Sequence, residues 1–327
     1  MFREEDINRF LNGRQFFILA TVLFVVSALL SPLSTETSMH NTTSGVCFSL
    51  SSLLESHSII SKLMSMASIV GVCALLSLVN KTYSFIRDVT YVFASSFIML
   101  NIANLEMAFS MSDGTLLCLV VSALTYLLFG IYQSLYPQRR VFLISVILSA
   151  CCMFQYTFLY LIPVFFIGFL QMRAMSVRSF LAMLFGLITP FWIVWGTGIV
   201  GIEEMRTPQM SVMLSGFAIE QSRYFIALLS GTIFFTIVLL FANVLQIINY
   251  KMQVRAYNGF FLILTVFTMI MMVVDYNNVM SYLSILNMCL SIQIAHTFTI
   301  QKYLRRYIPY LLFVMGCMVA FIFVAFC

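Results

Sequence analysis

The chain has 327 residues, of which 61% are hydrophobic and 9% are charged, and its net charge is +5. Because so few polar groups cannot cover a water-soluble globule, the composition excludes a soluble domain and makes lipid the solvent for most of the chain. The apolar runs of about 18 to 25 residues lack the two-residue alternation of barrel strands. We therefore expect an all-α, polytopic helical membrane protein, with residues 1–327 forming a single transmembrane domain.

The first apolar stretch, with a predicted crossing at 16–33, follows three arginines and resembles a signal peptide. No small-residue cleavage site follows it, and its length suits a retained membrane helix. The next crossings are predicted at 61–79, 88–104 and 114–135. Residues 34–60 precede the second crossing and are predicted to form a first external loop with a possible interfacial helix.

The stretch from Val141 to Gln171 admits two interpretations. As a single helix its 31 residues would be about 46 Å long, against a hydrocarbon core of about 30 Å. As a short helical hairpin it would turn between Met153 and Thr157. The hairpin places 14 of the 17 basic residues on the cytoplasmic side, whereas the single helix places nine there. The positive-inside rule therefore favours the hairpin.

The remaining crossings are predicted at 179–197, 224–248, 257–274, 279–298 and 308–326. This topology has about 11 membrane segments, a cytoplasmic N-terminus and an external C-terminus. The basic residues alone determine this topology. As an independent check, eight of the twelve acidic residues then lie outside. Residues 198–223 are predicted to be an amphipathic external loop on the outer surface.

Carboxylates near the external face are the candidate catalytic residues. Glu36 lies early in the first external loop, and Asp113 immediately precedes the fourth crossing. A carboxylate at a membrane surface can act as a general base, or it can be a solvated residue that helps to set topology. Asp113 can also cap the helix that begins at Gly114. For an enzyme we expect Glu36 and Asp113 to share a water-filled pocket bordered by the hairpin turn.

Three basic residues lie outside against the charge bias, namely Lys62, Arg206 and Arg223. Basic side chains at the headgroup level suit a phosphate, so these are the candidate phosphate-binding residues. Snorkelling to lipid headgroups is the competing explanation. No cofactor, metal or nucleic-acid partner is predicted, because the three histidines are dispersed, the eight cysteines form no CxxC motif and no GxxxxGK loop occurs.

Residues 88–196 contain NLEMAFSMSDG, the double arginine of QRR, VFLISVILSACCMFQYTFLYLIPVFFIGFL and the basic QMRAMSVR. This layout resembles the middle of C-type glycosyltransferases, which take sugars from polyprenyl-phosphate carriers. It looks more closely like a Bacteroidota family of polytopic inner-membrane proteins of unknown function. The resemblance implies a multi-pass protein of the bacterial inner membrane and cell envelope that handles a polyprenyl-phosphate-linked sugar or lipid. Glu36 or Asp113 would then be the general base, and the three basic residues would bind the donor phosphate.

The chain also departs from those glycosyltransferases. Their paired Asp/Glu motif is absent, and Gln155 replaces the lysine that they commonly carry in the hairpin turn. An active enzyme and a non-catalytic descendant are therefore both open. Two further functions are compatible with the sequence: a non-catalytic membrane subunit of a larger complex, and a transporter of a lipid-linked substrate. No helix centre carries the ionisable residue that a proton-coupled transporter usually needs.

Overall fold

The computed structural model describes residues 13–30, 45, 58–86, 91–103, 113–199, 223–300 and 316. Ten α-helices occur in these ranges and are numbered here in chain order. They are α1 (Arg14–Leu30), α2 (Ser58–Tyr83), α3 (Val92–Ile102), α4 (Asp113–Phe129), α5 (Gln138–Phe154), α6 (Thr157–Gln171), α7 (Val177–Gly196), α8 (Arg223–Gln246), α9 (Met252–Val274) and α10 (Val279–Ile300).

Five of the described helices are long and apolar enough to cross a membrane, by length and composition. These stretches are Ser61–Tyr83, Val177–Gly196, Leu228–Gln246, Met252–Val274 and Val279–Thr297. Helices α1, α3, α4 and α6 are apolar but shorter. The all-α fold is therefore confirmed, and its long apolar helices have the character expected of a membrane protein. The predicted eleventh crossing, 308–326, lies outside the described residues apart from Gly316.

The stretch from Val141 to Gln171, which admitted two interpretations, forms two helices joined by a sharp turn. Helix α5 ends at Phe154, Gln155 has extended backbone angles (φ −151°, ψ 113°), and α6 begins at Thr157. The backbone N–H of Gln133, before α5, donates to the carbonyl oxygen of Met172, after α6, with an N···O distance of 3.4 Å. This bond brings the start of α5 close to the end of α6. The helices are therefore antiparallel, and the hairpin prediction is confirmed.

Helix α3 is shorter than the crossing predicted at 88–104. Its 11 residues span about 16 Å, roughly half of a hydrocarbon core. Every residue of α3 is buried, and the helix packs against α1 and α10. A helix that does not span the bilayer is tolerated where protein surrounds it. Hydropathy alone overestimated its length, because a helix buried in protein is apolar on all sides, as a spanning helix is.

Helix α10 lies at the centre of the described bundle. All residues from Asn278 to His296 are buried, and the helix packs against α3, α4, α8 and α9. Helix α7 instead packs mainly against α5 and exposes large apolar side chains, such as Phe185 and Trp192. Such exposed apolar faces suit contact with lipid chains.

The two predicted external loops are described only in part. Residues 58–60 belong to the first turn of α2, so the first loop is shorter than 34–60. Gly45 is the described position between residues 34 and 57. Arg223 begins α8, and residues 200–222 lie outside the described part of the chain. The interfacial helix and the amphipathic loop therefore stay predictions.

Candidate functional site

Three connecting segments meet at one end of the bundle. They are the start of α4, the turn between α5 and α6, and the turn between α9 and α10. We call this the acidic end and define it by Asp113, Gln155–Thr157 and Asp275–Asn278. Asp113 and Asp275 are the two carboxylates that the described residues contain, and both are buried. Carboxylates at buried positions of a membrane protein are expensive, so they indicate a functional site.

Asp275 is the centre of a buried hydrogen-bond network. The amide of Asn278 donates to both of its carboxylate oxygens, at 2.9 and 2.8 Å, and the Tyr282 hydroxyl donates to Oδ2 at 3.0 Å. The Asn278 amide also donates to the hydroxyl oxygen of Tyr156. Because Tyr156 belongs to the hairpin turn, this network joins the α9–α10 connection to the hairpin.

The local sequence explains why these side chains meet. Helix α9 ends at Val274, and a 3₁₀ turn over Tyr276–Asn278 leads directly into α10. Positions 275, 278 and 282 are separated by three and four residues, so they share one face of the helical segment. By sequence position alone, Asp275 is an acidic residue directly after the crossing predicted at 257–274, and it is not among the predicted site residues. The spacing of its polar neighbours is the signal that identifies it as a site residue.

Burial dominates the electrostatics of the two connections. It raises the pKa of Asp275 above its usual range, while the hydrogen bonds from Asn278 and Tyr282 lower it in part. Burial also raises the pKa of Tyr156, and the nearby Asp275 and Asp113 carboxylates raise it further, against the lowering effect of Asn278. Tyr156 is therefore within electrostatic reach of both carboxylates. Both aspartates therefore lie near the hairpin turn.

Asp113 is the first residue of α4, where a carboxylate interacts favourably with the helix dipole. Its side chain is only 7% exposed, and Oδ2 has no hydrogen-bond partner among the described residues. The next residue, Gly114, packs tightly on α10, because a β-carbon there would lie 2.8 Å from the Cα atom of Ser281. The absence of a side chain at Gly114 thus holds Asp113 beside the start of α10.

Several buried polar atoms around Asp113 and the two turns have no hydrogen-bond partner within the described ranges. They are Asp113 Oδ2, Gln155 Nε2, Thr157 Oγ1, Asn278 Oδ1, Ser281 Oγ and, further along α10, Asn287 Oδ1. An unsatisfied buried polar group costs about 1 to 3 kcal/mol, so a group of them is expected to bind water or a ligand. Most of these atoms can accept a hydrogen bond, and one is only a donor.

Gly45 connects the first predicted external loop to this site. A β-carbon on Gly45 would overlap the main chain of Met153 and Phe154 at the end of α5. Close backbone approach of this kind requires a glycine. At least this position of the first loop therefore contacts the hairpin turn.

Of the five predicted site residues, only Asp113 and Lys62 have side chains that the structure describes. Asp113 lies in the cluster just described. Glu36 and Arg206 lie outside the described residues, and so does the side chain of Arg223. Lys62 is partly exposed in the second turn of α2. A pocket shared by Glu36 and Asp113, and a phosphate site formed by the three basic residues, therefore stay predictions.

The opposite end of the bundle is built differently, and we call it the aromatic end. It is defined by Tyr83, Tyr126, Phe129, Gly130, Arg140 and Tyr257. The Tyr83 hydroxyl donates to the Tyr126 carbonyl oxygen at 3.1 Å, and the Tyr257 hydroxyl donates to that of Phe129 at 3.2 Å. The Arg140 guanidinium donates to the Gly130 carbonyl oxygen. Side chains from three other helices thus satisfy the carbonyl groups at the C-terminal end of α4.

The described fold and its acidic end define a class of protein: an all-α membrane protein with a buried, carboxylate-containing polar cluster at one end. No protein-family model, curated protein or solved structure matches the chain significantly. The described residues contain no group of three or more His, Cys, Asp or Glu side chains that could hold a metal ion. The chemistry of the acidic end is therefore the basis for a functional proposal.

Proposed function

We propose that the chain is a membrane protein of the bacterial cell envelope that binds the polar head group of a lipid-linked substrate at its acidic end. One observation carries this proposal: Asp113 and Asp275, from distant parts of the sequence, both lie buried near the hairpin turn, among several polar atoms that have no partner within the described residues. A site at the end of a helix bundle suits such a substrate. Its polar head group can enter the cluster while its apolar tail stays in the bilayer.

A polyprenyl-phosphate-linked sugar is the substrate class that we favour. The layout of residues 88–196 resembles that of the C-type glycosyltransferases, and sugar hydroxyl groups can donate to an acceptor-rich cluster. The resemblance is weakened by the missing pair of acids in the first loop. Asp113 and Asp275 are two carboxylates that lie near the same hairpin turn, although they are far apart in the sequence. The proposed activity is binding, and in an active enzyme the unpartnered Oδ2 of Asp113 would be the candidate base.

We further propose that the acidic end faces outward from the bacterial inner membrane. Exposed arginines Arg139, Arg140, Arg173 and Arg178 lie near the connections of the hairpin and α7, at the aromatic end. A concentration of basic residues is typical of the cytoplasmic side. This orientation agrees with a cytoplasmic N-terminus and makes the acidic end available to substrates on the outer leaflet.

The test is binding of a radiolabelled polyprenyl-phosphate sugar to the purified full-length chain in lipid nanodiscs. We expect Asp113→Asn and Asp275→Asn each to weaken binding at least tenfold. Tyr257→Phe at the aromatic end is the control and should leave binding unchanged. Equal binding by the wild type and both aspartate variants would contradict the proposal. Product formation would identify an enzyme, and movement of the lipid between leaflets would identify a transporter.

A non-catalytic membrane subunit is the second candidate, and the exposed faces of α7 and α8 favour it. Phe185 and Trp192 on α7 are 63% and 64% exposed, and Phe234 and Phe241 on α8 are 70% and 65% exposed. These faces suit lipid, but they also suit the helices of a partner. Photo-crosslinking groups at positions 185 and 234 distinguish the two occupants, because a subunit gives a discrete protein adduct whereas a lipid-facing helix gives lipid adducts.

A further inference from the structure

We propose that the head group bound at the acidic end carries a positively charged amine. This proposal rests on the function proposed above and specifies the chemistry of its substrate. Three features of the site support it: two buried carboxyl groups without a basic partner among the described residues, unpartnered acceptor atoms and tyrosine side chains around Asp275.

The first feature is charge. Asp113 is 7% exposed and Asp275 is fully buried, and neither forms a salt bridge with a Lys or Arg of the described residues. Burying an ionised carboxylate without a counter-charge is unfavourable. An ammonium group that enters the site would supply the counter-charge that favours the ionised carboxylates. A phosphate would add negative charge to the same site.

The second feature is the orientation of Asn278. Its Nδ2 atom donates to Asp275 and to Tyr156, so its Oδ1 atom is left as an acceptor without a partner among the described residues. The reverse amide orientation would place Oδ1 against the Asp275 carboxylate, where two acceptors would repel. Asp113 Oδ2 is a second unpartnered acceptor. A primary ammonium has three donors and no acceptor, which suits such a site.

The third feature is the group of tyrosine side chains near Asp275. Tyr282 donates to Asp275, and the ring of Tyr156 packs edge-to-face on that of Tyr160 with centroids 5.9 Å apart. Tyrosine rings stabilise cations through their π-electrons, most strongly where water is excluded. Carboxylates and aromatic rings together favour an ammonium over a neutral hydroxyl. The phosphate of a lipid carrier would bind elsewhere, and Lys62, Arg206 and Arg223 stay the candidates for it.

The experiment uses the full-length chain in nanodiscs and three soluble probes: glucosamine, N-acetylglucosamine and glucose 6-phosphate. Equilibrium dialysis measures the affinity of each probe. We expect glucosamine to bind at least tenfold more tightly than N-acetylglucosamine, because acetylation removes the charge and two donors. Glucose 6-phosphate should bind most weakly. Asp113→Asn and Asp275→Asn should abolish the preference for glucosamine, while Tyr257→Phe should keep it.

Equal or tighter binding of N-acetylglucosamine or glucose 6-phosphate overturns the proposal, and so does the absence of glucosamine binding. The comparison of probes on the wild-type chain decides the question even if an aspartate variant fails to fold. The experiment also distinguishes failure of the amine proposal from failure of the proposed function. If the lipid-linked sugar binds and depends on Asp113 and Asp275, but the three probes show no preference for the amine, the function stands and only the amine is excluded.

Discussion

At the aromatic end of the bundle, carbonyl oxygens of α4 accept hydrogen bonds from Tyr83, Tyr257 and Arg140, which belong to other helices. At the acidic end, buried atoms such as Asp113 Oδ2 and Ser281 Oγ have no such partner among the described residues. Both ends contain helix termini, where unsatisfied polar groups are expected. The Tyr83, Tyr257 and Arg140 side chains satisfy carbonyl groups at the aromatic end, although the side-chain amide of the neighbouring Asn258 has no partner among the described residues. At the acidic end a carboxylate oxygen, Asp113 Oδ2, is among the unpartnered groups.

This difference indicates a division of roles. A network with satisfied polar groups stabilises the packing of the helices, whereas a buried network with unsatisfied groups lowers stability unless a ligand completes it. Functional sites commonly sacrifice stability in this way. Removing the partnered Tyr257 hydroxyl and removing the unpartnered Ser281 hydroxyl should therefore change stability with opposite sign.

The largest expected effect comes from Gly114→Leu at the acidic end. A side chain there would collide with the backbone of α10 at Ser281, because α4 and α10 approach too closely to accommodate it. We expect a loss of about 3 kcal/mol in the free energy of unfolding, measured by unfolding in mixed detergent–SDS micelles. Gly231→Leu in α8 is the matched control, since no atom of the described residues lies within 4 Å of a β-carbon at that position. Equal stability of the two variants would contradict the tight contact.

The second prediction concerns the aromatic end. Tyr257→Phe removes the buried hydroxyl that donates to the Phe129 carbonyl oxygen and accepts from the exposed Gln253 side chain. We expect a loss of about 1 kcal/mol in unfolding free energy, because one buried hydrogen bond, to the Phe129 carbonyl oxygen, is lost. Tyr136→Phe, at a residue that is 75% exposed, is the control and should change stability little. Comparable losses in the two variants would show that the buried Tyr257 hydroxyl contributes no more to stability than an exposed one.

The third prediction is a gain, and not a loss, in the free energy of unfolding. Ser281→Ala removes a fully buried hydroxyl that has no partner within the described residues. We expect the ligand-free chain to gain up to about 1 kcal/mol in unfolding free energy, because an unsatisfied group is removed. The control is Ser291→Ala in the same helix, whose hydroxyl donates to the Met288 carbonyl oxygen at 2.7 Å. A marked loss of stability in Ser281→Ala would mean that its hydroxyl is satisfied.

The smallest effect is a dependence on pH. Burial raises the pKa of Asp275 in the folded chain, so the folded state keeps this proton to a higher pH than the unfolded state does. Asp275 is therefore most favourable to folding below its unfolded pKa, and stability is lost as pH rises through the interval up to the folded pKa. Asp275→Asn should remove this part of the slope in a plot of unfolding free energy against pH. Parallel slopes for wild type and variant would show that the pKa is not raised.

The sequence by itself determined the helical membrane character of the chain and the hairpin. A composition with so few charges requires lipid, and lipid requires helices with satisfied backbones. The basic residues after the hairpin, such as Arg173 and Arg178, distinguished it from a single helix, because the two interpretations place every later loop on opposite sides of the membrane. Asp113 was also predictable as a residue at the start of a helix. Each of these features depends on composition or on the local order of residues.

Only the tertiary structure decided which residues form the acidic end. Asp113 and Asp275 lie far apart in the chain, and they share a site because α4 packs on α10 at Gly114 and because Asn278 contacts Tyr156. Hydropathy records whether a segment is apolar, but it does not record which segments pack together. The length of α3 shows the same limit, since burial in protein and burial in lipid select the same apolar residues. Pairing of distant residues depends on helix packing, which the linear pattern does not contain.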